Sequence, residues 1–243
     1  NILQGDFGKS VVSHKPVLDE ILEKFPATLM LSLAGLFLSV TMGLILGSIA
    51  AAFRQSMIDF TALFFALIWV SIPDFWLAIL LILLFALEIP IFPSMGYVSL
   101  FSDFPGAIHH LILPAFSLGA ISAGAVTRLV RSEMIEQLSQ DYVITAWSKG
   151  LARHVIVFKH ALRNAMLPVI TFVGLQLGRF FGGAIVIETI FTWPGVGRLI
   201  IQSIYARDYP MVQGIVLFVS VLFVLVNLLV DISYTLINPK IRL

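Results

Sequence analysis

Long apolar runs alternate with short polar segments along the whole chain. Five runs are long enough to cross a bilayer as helices, because a hydrocarbon core roughly 30 Å thick needs about 20 helical residues. Barrel strands would instead give segments of about ten residues with alternating polarity. The pattern therefore predicts an all-α, polytopic bundle of membrane helices with the spans Thr28–Phe53, Phe60–Leu87, Leu111–Val130, Leu167–Phe191 and Met211–Ile237.

The composition supports a membrane protein and excludes other classes. Hydrophobic residues make up 59% and charged residues 12% of the 243 positions, and the mean hydropathy is +0.99. One soluble core could not bury so much apolar surface. The net charge of +1 gives no reason to expect a nucleic-acid partner, and the lack of cysteine excludes disulfides and cysteine metal sites.

The distribution of positive charge predicts how the spans are oriented. More than half of the lysine and arginine residues lie in three regions, whereas Glu88–His110 contains neither. Because cytoplasmic loops carry the excess of positive charge, we expect the C-terminus in the cytoplasm and Glu88–His110 outside. The basic regions contain Arg54, then Arg131, Lys149, Arg153, Lys159 and Arg163, and finally Lys240 and Arg242.

Five spans and a cytoplasmic C-terminus place the segment 1–27 on the outer face and make 28–243 the transmembrane domain. The chain starts at Asn1 without a signal-peptide pattern, so we expect one further transmembrane helix upstream. Pro16–Lys24 is predicted as a short amphipathic helix. Pro73 is predicted to kink the second span, and Leu199–Tyr205 is predicted to form a re-entrant or interfacial helix.

The polar stretch Leu129–Pro168, 40 residues long, separates two of the apolar runs. Connections between helices are usually short, and long ones are usually functional. We predict a short helix around Asp141–Lys149 that carries Tyr142, Ala146 and Trp147 on its surface and ends at Gly150. Such a helix can enter a groove of a partner protein, and the alternative is an interfacial helix without a partner. The basic residues that follow could bind anionic lipid heads or acidic partner residues.

Several motifs in this chain occur together and in a fixed order. The segment Asp141–Pro168 resembles the cytoplasmic EAA-type loop of permease subunits in binding-protein-dependent ABC importers, of the dipeptide, oligopeptide and nickel branch. Ile144 stands where the general pattern has glutamate, a departure that resemblance to this branch explains. The other matching segments are Gly5-Asp6-Phe7-Gly8, Pro26-Ala27-Thr28-Leu29, Ile112-Leu113-Pro114-Ala115, Glu188-Thr189-Ile190-Phe191, Trp193-Pro194-Gly195, Arg207-Asp208-Tyr209-Pro210 and Asn238-Pro239-Lys240-Ile241-Arg242.

The resemblance implies the type I ABC importer permease fold in a bacterial cytoplasmic membrane. It also implies a second permease subunit that forms a heterodimer with this one, two ATPase subunits and an external substrate-binding protein. The chain has no Gly-x-x-x-x-Gly-Lys-Ser/Thr phosphate loop, so we expect it to bind no cofactor and ATP and Mg²⁺ to sit on the ATPase subunits. The resemblance places an ATPase-coupling loop at 131–166, with contact residues Asp141, Tyr142, Thr145, Ala146, Lys149, Gly150, Arg163 and Asn164.

Two charged residues lie near the middle of predicted spans, away from the span ends. Asp74 and Arg179 are 14 and 12 residues beyond the starts of their spans, which puts both near the bilayer middle at 1.5 Å per residue. A charge there costs on the order of 2.5–3.5 kcal/mol and usually faces a partner or an aqueous path. Two interpretations stay open: both line the translocation path, with Arg179 receiving a substrate carboxylate, or the two form an ion pair.

The residues leave the transported substrate open. His109 and His110, with Glu88 and Met95, could be imagined as nickel ligands, but paired histidines beside a span are more often hydrogen-bonding headgroup residues, so no metal site is predicted. Glu188 is expected to act as a helix-end or inter-helix partner.

The leading interpretation is a permease for di- and oligopeptides, because an arginine in the path would repel a bare divalent cation. The alternatives are a nickel or metal-chelate importer of the same family and a secondary transporter or channel. The sequence also lacks the His-Glu-x-x-His and Gly-x-Ser-x-Gly motifs of two hydrolase classes, which argues against an enzyme.

Overall fold

The computed structural model describes residues 7–237. Regular structure in this range is helical, apart from an isolated β-bridge between Lys9 and Pro16. The helices are α1 Val17–Ala52, α2 Met57–Ser71, α3 Asp74–Ile82, α4 Phe104–Leu138, α5 Asp141–Ser148, α6 Arg153–Val155, α7 Leu162–Ile190, α8 Val196–Tyr205 and α9 Tyr209–Ile237. π-helical turns at Leu83–Glu88 and Ile156–Ala161 continue α3 and join α6 to α7. The motif residues Gly5 and Asp6 and those from Asn238 onward lie outside the described range.

The predicted all-α membrane bundle is confirmed. Among the described residues, four helices are long and apolar enough to cross a membrane, and a fifth span results if α2 and α3 count as one broken span. The break lies at Ile72 and Pro73, where the proline removes a backbone donor. The predicted kink is therefore a full interruption between two helices. The predicted helix at Leu199–Tyr205 is confirmed as part of α8.

The first helix begins earlier than the sequence pattern predicted. The separate helix predicted at Pro16–Lys24 is wrong, because these residues run without a break into the first span and Pro26 lies inside α1. Val17 and Ile21 are fully buried against residues of α8 and α9. This packing stabilises the first turns of α1 in helical form on both sides of the proline. The predicted boundary at residue 27 therefore falls inside a continuous helix.

The polar stretch after the third span is also more helical than predicted. α4 continues to Leu138, eight residues beyond the predicted end at Val130. Val126, Val130 and Met134 recur every fourth residue and are all buried, so one apolar stripe continues from the predicted span into the polar stretch. Most of the predicted loop is thus folded as the end of α4, α5, α6 and the π-turn before α7.

The chain forms two compact units, and each of the four longest helices contributes to both. The first unit comprises the chain up to Gly35, Asp74–Leu118 and Leu177–Leu229. Its core includes buried side chains of α1, α8 and α9, namely Val17, Ile21, Val196, Met211 and Ile215. The second unit comprises Leu36–Pro73, Gly119–Gln176 and the chain from Val230. Its core is formed by Ala51, Val126, Val130, Met134, Val157, Ala165 and Val169.

Candidate functional site

The short helix predicted between two membrane spans is present as α5. It covers Asp141–Ser148, and Lys149 follows as its C-cap, with a backbone N–H that donates to the Thr145 carbonyl at 3.1 Å. Gly150 has a φ of +75°, a left-handed conformation that side chains with a Cβ rarely adopt. The predicted helix and its end at Gly150 are confirmed.

One face of α5 anchors the helix to the second unit. Val143 and Ala146 are buried against Ile156, and Leu138 and Leu151 pack beside them. The prediction that Ala146 lies on the outer surface is wrong, because residues three apart share a helix face and Ala146 follows Val143 inward. Tyr142 is half-buried, and its hydroxyl lies 3.2 Å from Gln137 Oε1, to which it donates a hydrogen bond.

The opposite face of α5 is exposed. We define the α5 outer face as Asp141, Ile144, Thr145 and Ser148, which are exposed at helical spacing, with Trp147 at its border. Ile144 is 61% exposed and Trp147 is 49% exposed. Two large apolar side chains on an otherwise polar segment are typical of a contact surface rather than of a solvated loop. Lys149 and Gly150 are exposed at the end of this face.

The anchored face of α5 is continuous with the core of the second unit. Ile156, which contacts Val143 and Ala146, is followed by Val157, and Val157 packs in the same cluster as Met134 of α4 and Ala165 of α7. The two residues lie in the π-turn Ile156–Ala161, a type of structure that is frequent at functional sites. A displacement of α5 would therefore press directly on α4 and α7.

The other predicted contact residues lie on a different helix. Arg163 and Asn164 are exposed on the first turn of α7. Arg153, in α6, donates a hydrogen bond to the carbonyl of Ala52, and its guanidinium carbon lies 5.6 Å from the centre of the Phe53 ring. Arg153 thus ties the segment after α5 to the C-terminal end of α1.

An ion pair that was not predicted from the sequence joins α2 to α4. Arg131 Nε and Nη2 donate to the two carboxylate oxygens of Asp59 at 2.6 and 2.7 Å. The side chain of Asp59 is 1% exposed and that of Arg131 is 23% exposed. Asp59 also accepts the backbone N–H of Gln55 at 2.9 Å. Ser56 and Asp59 have the Ser-x-x-Asp spacing of a helix-start motif, so the sequence contained a signal for Asp59 but none for Arg131 as its partner.

The two predicted path residues both fall in the first unit. Asp74 is the first residue of α3, and its Oδ1 accepts the backbone N–H of Phe75 at 2.7 Å. A carboxylate at the start of a helix is favoured by the helix dipole. Arg179 is exposed on α7. Their predicted contact with substrate, or with each other, stays a prediction.

Motif segments that are far apart in sequence meet around Glu188, which is fully buried. Thr28 Oγ1 donates to Glu188 Oε1 at 2.6 Å, and the backbone N–H of Arg198 donates to Oε2 at 2.9 Å. Trp193 Nε1 donates to the carbonyl of Ala27 at 2.8 Å. The prediction that Glu188 is a helix-end or inter-helix partner is confirmed, since it joins α7 to α1 and to the start of α8.

A second polar contact in the first unit lies just before α9. Asp208 is 3% exposed and accepts hydrogen bonds from the Ser10 hydroxyl and from the backbone N–H groups of Val11 and Met211, the last as a helix cap. Burial acts to raise the pKa of Asp208, but these hydrogen bonds outweigh burial and hold its pKa below the usual value. Asp208 therefore fixes the segment before α1 to the start of α9.

The histidines considered as nickel ligands contact backbone atoms. His109 Nε2 lies 2.5 Å from the Ile91 carbonyl oxygen, and His110 Nδ1 lies 2.9 Å from that of Gly106. Met95 Sδ accepts the Thr192 hydroxyl at 3.2 Å. Within residues 7–237, no three or more His, Cys, Asp or Glu side chains converge as metal ligands would.

The helices define the class of this protein as a multi-pass, all-α membrane protein whose polar segment between α4 and α7 is itself folded. Residues 43–243 match the family of the binding-protein-dependent transport system inner membrane component, and the chain belongs to that family. It is therefore a permease-type membrane component of a transport system and not an enzyme.

Similar proteins of known name span the whole chain. The di/tripeptide transport system permease protein DppB of Pseudomonas aeruginosa is 43% identical over all of this chain and 78% of its own length. The glutathione transport system permease protein GsiC of Escherichia coli K12 is 43% identical over all of this chain and 76% of its own length. The inward-facing MetNI methionine ABC transporter contains a chain of the same fold, with a TM-score of 0.73 and 17% identity over 91% of this chain and 97% of that one.

Proposed function

We propose that this chain is the permease subunit of an ATP-driven importer and that it forms part of a path for di- and oligopeptides across the cytoplasmic membrane. The observation that carries the proposal is α5, a helix held by Val143 and Ala146 that exposes Ile144 and Trp147 on its other side. Membership of a binding-protein-dependent family argues against a secondary transporter or channel. Peptide is favoured over nickel because the named relatives at 43% identity are peptide and glutathione permeases.

In this proposal the α5 outer face docks into a groove of a separate ATPase subunit, and α5 and the C-terminus lie in the cytoplasm. ATP and Mg²⁺ are bound by the ATPase subunits, whose closure displaces α5. The displacement reaches α4 and α7 through two adjacent residues of the π-turn. Ile156 packs with residues of α5, and Val157 packs with residues of α4 and α7. Helices packed in this way shift as units rather than deform continuously, so the permease would alternate between inward-open and outward-open states. A second permease subunit, two ATPases and an external binding protein complete the assembly.

The test is uptake by the complete transporter in proteoliposomes with ATP and Mg²⁺ on the ATPase side. We expect ATP-dependent accumulation of a labelled tripeptide and no accumulation of Ni²⁺. Replacing Ile144 and Trp147 by alanine should abolish uptake and reduce copurification of the ATPase, because burial of such a side chain contributes about 1.5–3 kcal/mol. Tyr205→Ala is the control, since Tyr205 is an aromatic side chain that is 85% exposed in the first unit. Uptake of Ni²⁺ in place of peptide, or uptake that needs no ATP, would contradict the proposal.

A further inference from the structure

A cleft in the second unit opens between α2, α4 and α7 and has a volume of about 520 Å³. Its walls are partly apolar and partly basic, a combination that suits a ligand with both apolar and anionic groups. The volume is within the roughly 300–1,000 Å³ of pockets that hold small organic ligands. Its lining includes Leu63 and Val70 of α2, Arg128, Leu129 and Ser132 of α4, and Phe172 of α7.

Two contacts fix the wall that α2 and α4 form. A Cβ on Gly124 would collide with the carbonyl oxygen of Ala66, so the two backbones approach closely there only because this residue is glycine. The Asp59–Arg131 ion pair joins the same two helices about two turns away. Leu63 lies four residues after Asp59 and three before Ala66, and Arg128 lies four residues after Gly124 and three before Arg131. At these spacings each side chain lies on the side of its helix that faces the other helix. These two contacts therefore fix the position of α2 relative to α4 along this wall.

Arg128 brings a positive charge into this cleft. It is exposed, and it lies ten residues before the end of α4, about 15 Å along the helix. Among the side chains that the structure describes, ion pairs are formed by Lys24 with Glu23 and by Arg131 with Asp59, and Arg128 is in neither. A charged residue on a spanning helix usually faces a ligand, a partner or an aqueous path. The neighbouring Arg131 is neutralised, so Arg128 carries the free positive charge of the wall.

We propose that the cleft is a section of the translocation path in which the Arg128 guanidinium binds the carboxylate of the passing peptide. This inference rests on the proposed function of the chain as a peptide permease. The guanidinium has two parallel N–H donors that match a carboxylate, and the exposed Ser132 lies one helical turn further along the same wall. Leu63, Val70 and Phe172 supply apolar contact for the peptide side chains.

A lipid phosphate shares the anionic oxygens of a carboxylate, so the test must separate the two sources. Reconstitution of the complete transporter in phosphatidylcholine vesicles removes anionic lipid. The chain contains no cysteine, which allows Ser132→Cys to be the single thiol of this subunit. Its rate of modification by an anionic methanethiosulfonate reagent reports access to the cleft, and a tripeptide acid and the matching C-terminal amide are the protecting ligands. Modification is read on this subunit alone after separation from the others.

The tripeptide acid should protect the Ser132→Cys thiol at a concentration about tenfold lower than the amide does, as expected for a hydrogen-bonded ion pair. Arg128→Gln in the same background should bring the two concentrations within about twofold, and Arg128→Lys should give an intermediate ratio. Ser148→Cys, on the α5 outer face, is the control and should show no difference between acid and amide.

The proposal is overturned if acid and amide protect equally, if neither protects, or if Arg128→Gln leaves their ratio unchanged. If acid and amide protect equally in phosphatidylcholine vesicles while added anionic lipid slows thiol labelling only when Arg128 is present, Arg128 is assigned to lipid and the proposal is equally overturned. ATP-dependent peptide uptake is measured in the same vesicles before thiol labelling. If uptake occurs without the expected protection, only the Arg128 assignment fails. If no peptide is taken up, the proposed function fails and the assignment falls with it.

Discussion

The ion pair between Asp59 and Arg131 gives the sharpest stability prediction. Asp59→Asn keeps the size of the side chain but leaves Arg131 without its carboxylate. Loss of one partner of a buried pair costs about 3–5 kcal/mol, and we expect the lower end, about 3 kcal/mol, because the Arg131 side chain is 23% exposed. For a chain of this size, about 2–4 °C is lost per kcal/mol, so the thermal midpoint should fall by roughly 6–12 °C. Tryptophan fluorescence of the purified permease in detergent measures the midpoint.

The pair Lys24–Glu23 provides a matched control. Its atoms lie 2.7 Å apart, almost the same distance as in the Asp59–Arg131 pair, but its side chains are 36% and 62% exposed. Exposed pairs contribute about 0–1 kcal/mol, so Lys24→Gln should change the midpoint by about 4 °C or less. Combining Asp59→Asn with Arg131→Gln should cost less than the sum of the single changes. Equal midpoints for Asp59→Asn and Lys24→Gln would refute the argument that burial makes this pair important.

Three further predictions concern stability in other parts of the chain. Hydrogen bonds hold the pKa of Asp208 below its usual value of 3.8. The contribution of ionised Asp208 to folding stability is therefore complete at pH 7 and is lost as the pH falls from about 4 through the lowered pKa. Asp208→Asn should reduce the drop in thermal midpoint between pH 7 and pH 3. Gly124→Ala should lower the midpoint by the equivalent of about 1–3 kcal/mol, because its added Cβ clashes with the Ala66 carbonyl. Gly182→Ala is the control and should leave the midpoint unchanged, because no atom lies near its added Cβ. Equal midpoints for the two variants would contradict the clash. Glu188→Ala should speed tryptic cleavage after Arg198 in detergent, since it removes the acceptor at the start of α8, and an unchanged rate would argue against that role.

Features that depend on neighbouring residues could be predicted from the sequence. The five apolar segments follow from hydropathy alone, and α5 with its end at Gly150 follows from a short apolar pattern and one glycine. The length of α4 was also within reach, because Val126, Val130 and Met134 continue its apolar stripe at intervals of four. The mean hydropathy of this segment does not show the stripe, because polar residues surround the three buried positions.

Features that depend on distant contacts could not be predicted. The inward turn of Ala146 depends on Ile156, and the start of α1 before Pro26 depends on α8 and α9. The Asp59–Arg131 pair joins residues 72 apart, and no local pattern chooses between Arg131 and the adjacent basic residues. The motifs predicted that Glu188 would have a partner, but only the fold identifies Thr28 and the start of α8.

Contact between α5 and an ATPase is the central claim of this account. Thr145 lies within the α5 outer face, and the chain has no cysteine, so the Thr145→Cys variant carries one thiol at the proposed contact. Oxidative cross-linking of the assembled transporter to ATPase subunits with single surface cysteines measures this contact directly. We expect a cross-link from the Thr145→Cys variant and none from the Tyr205→Cys variant. A cross-link from the Tyr205→Cys variant alone would contradict the account.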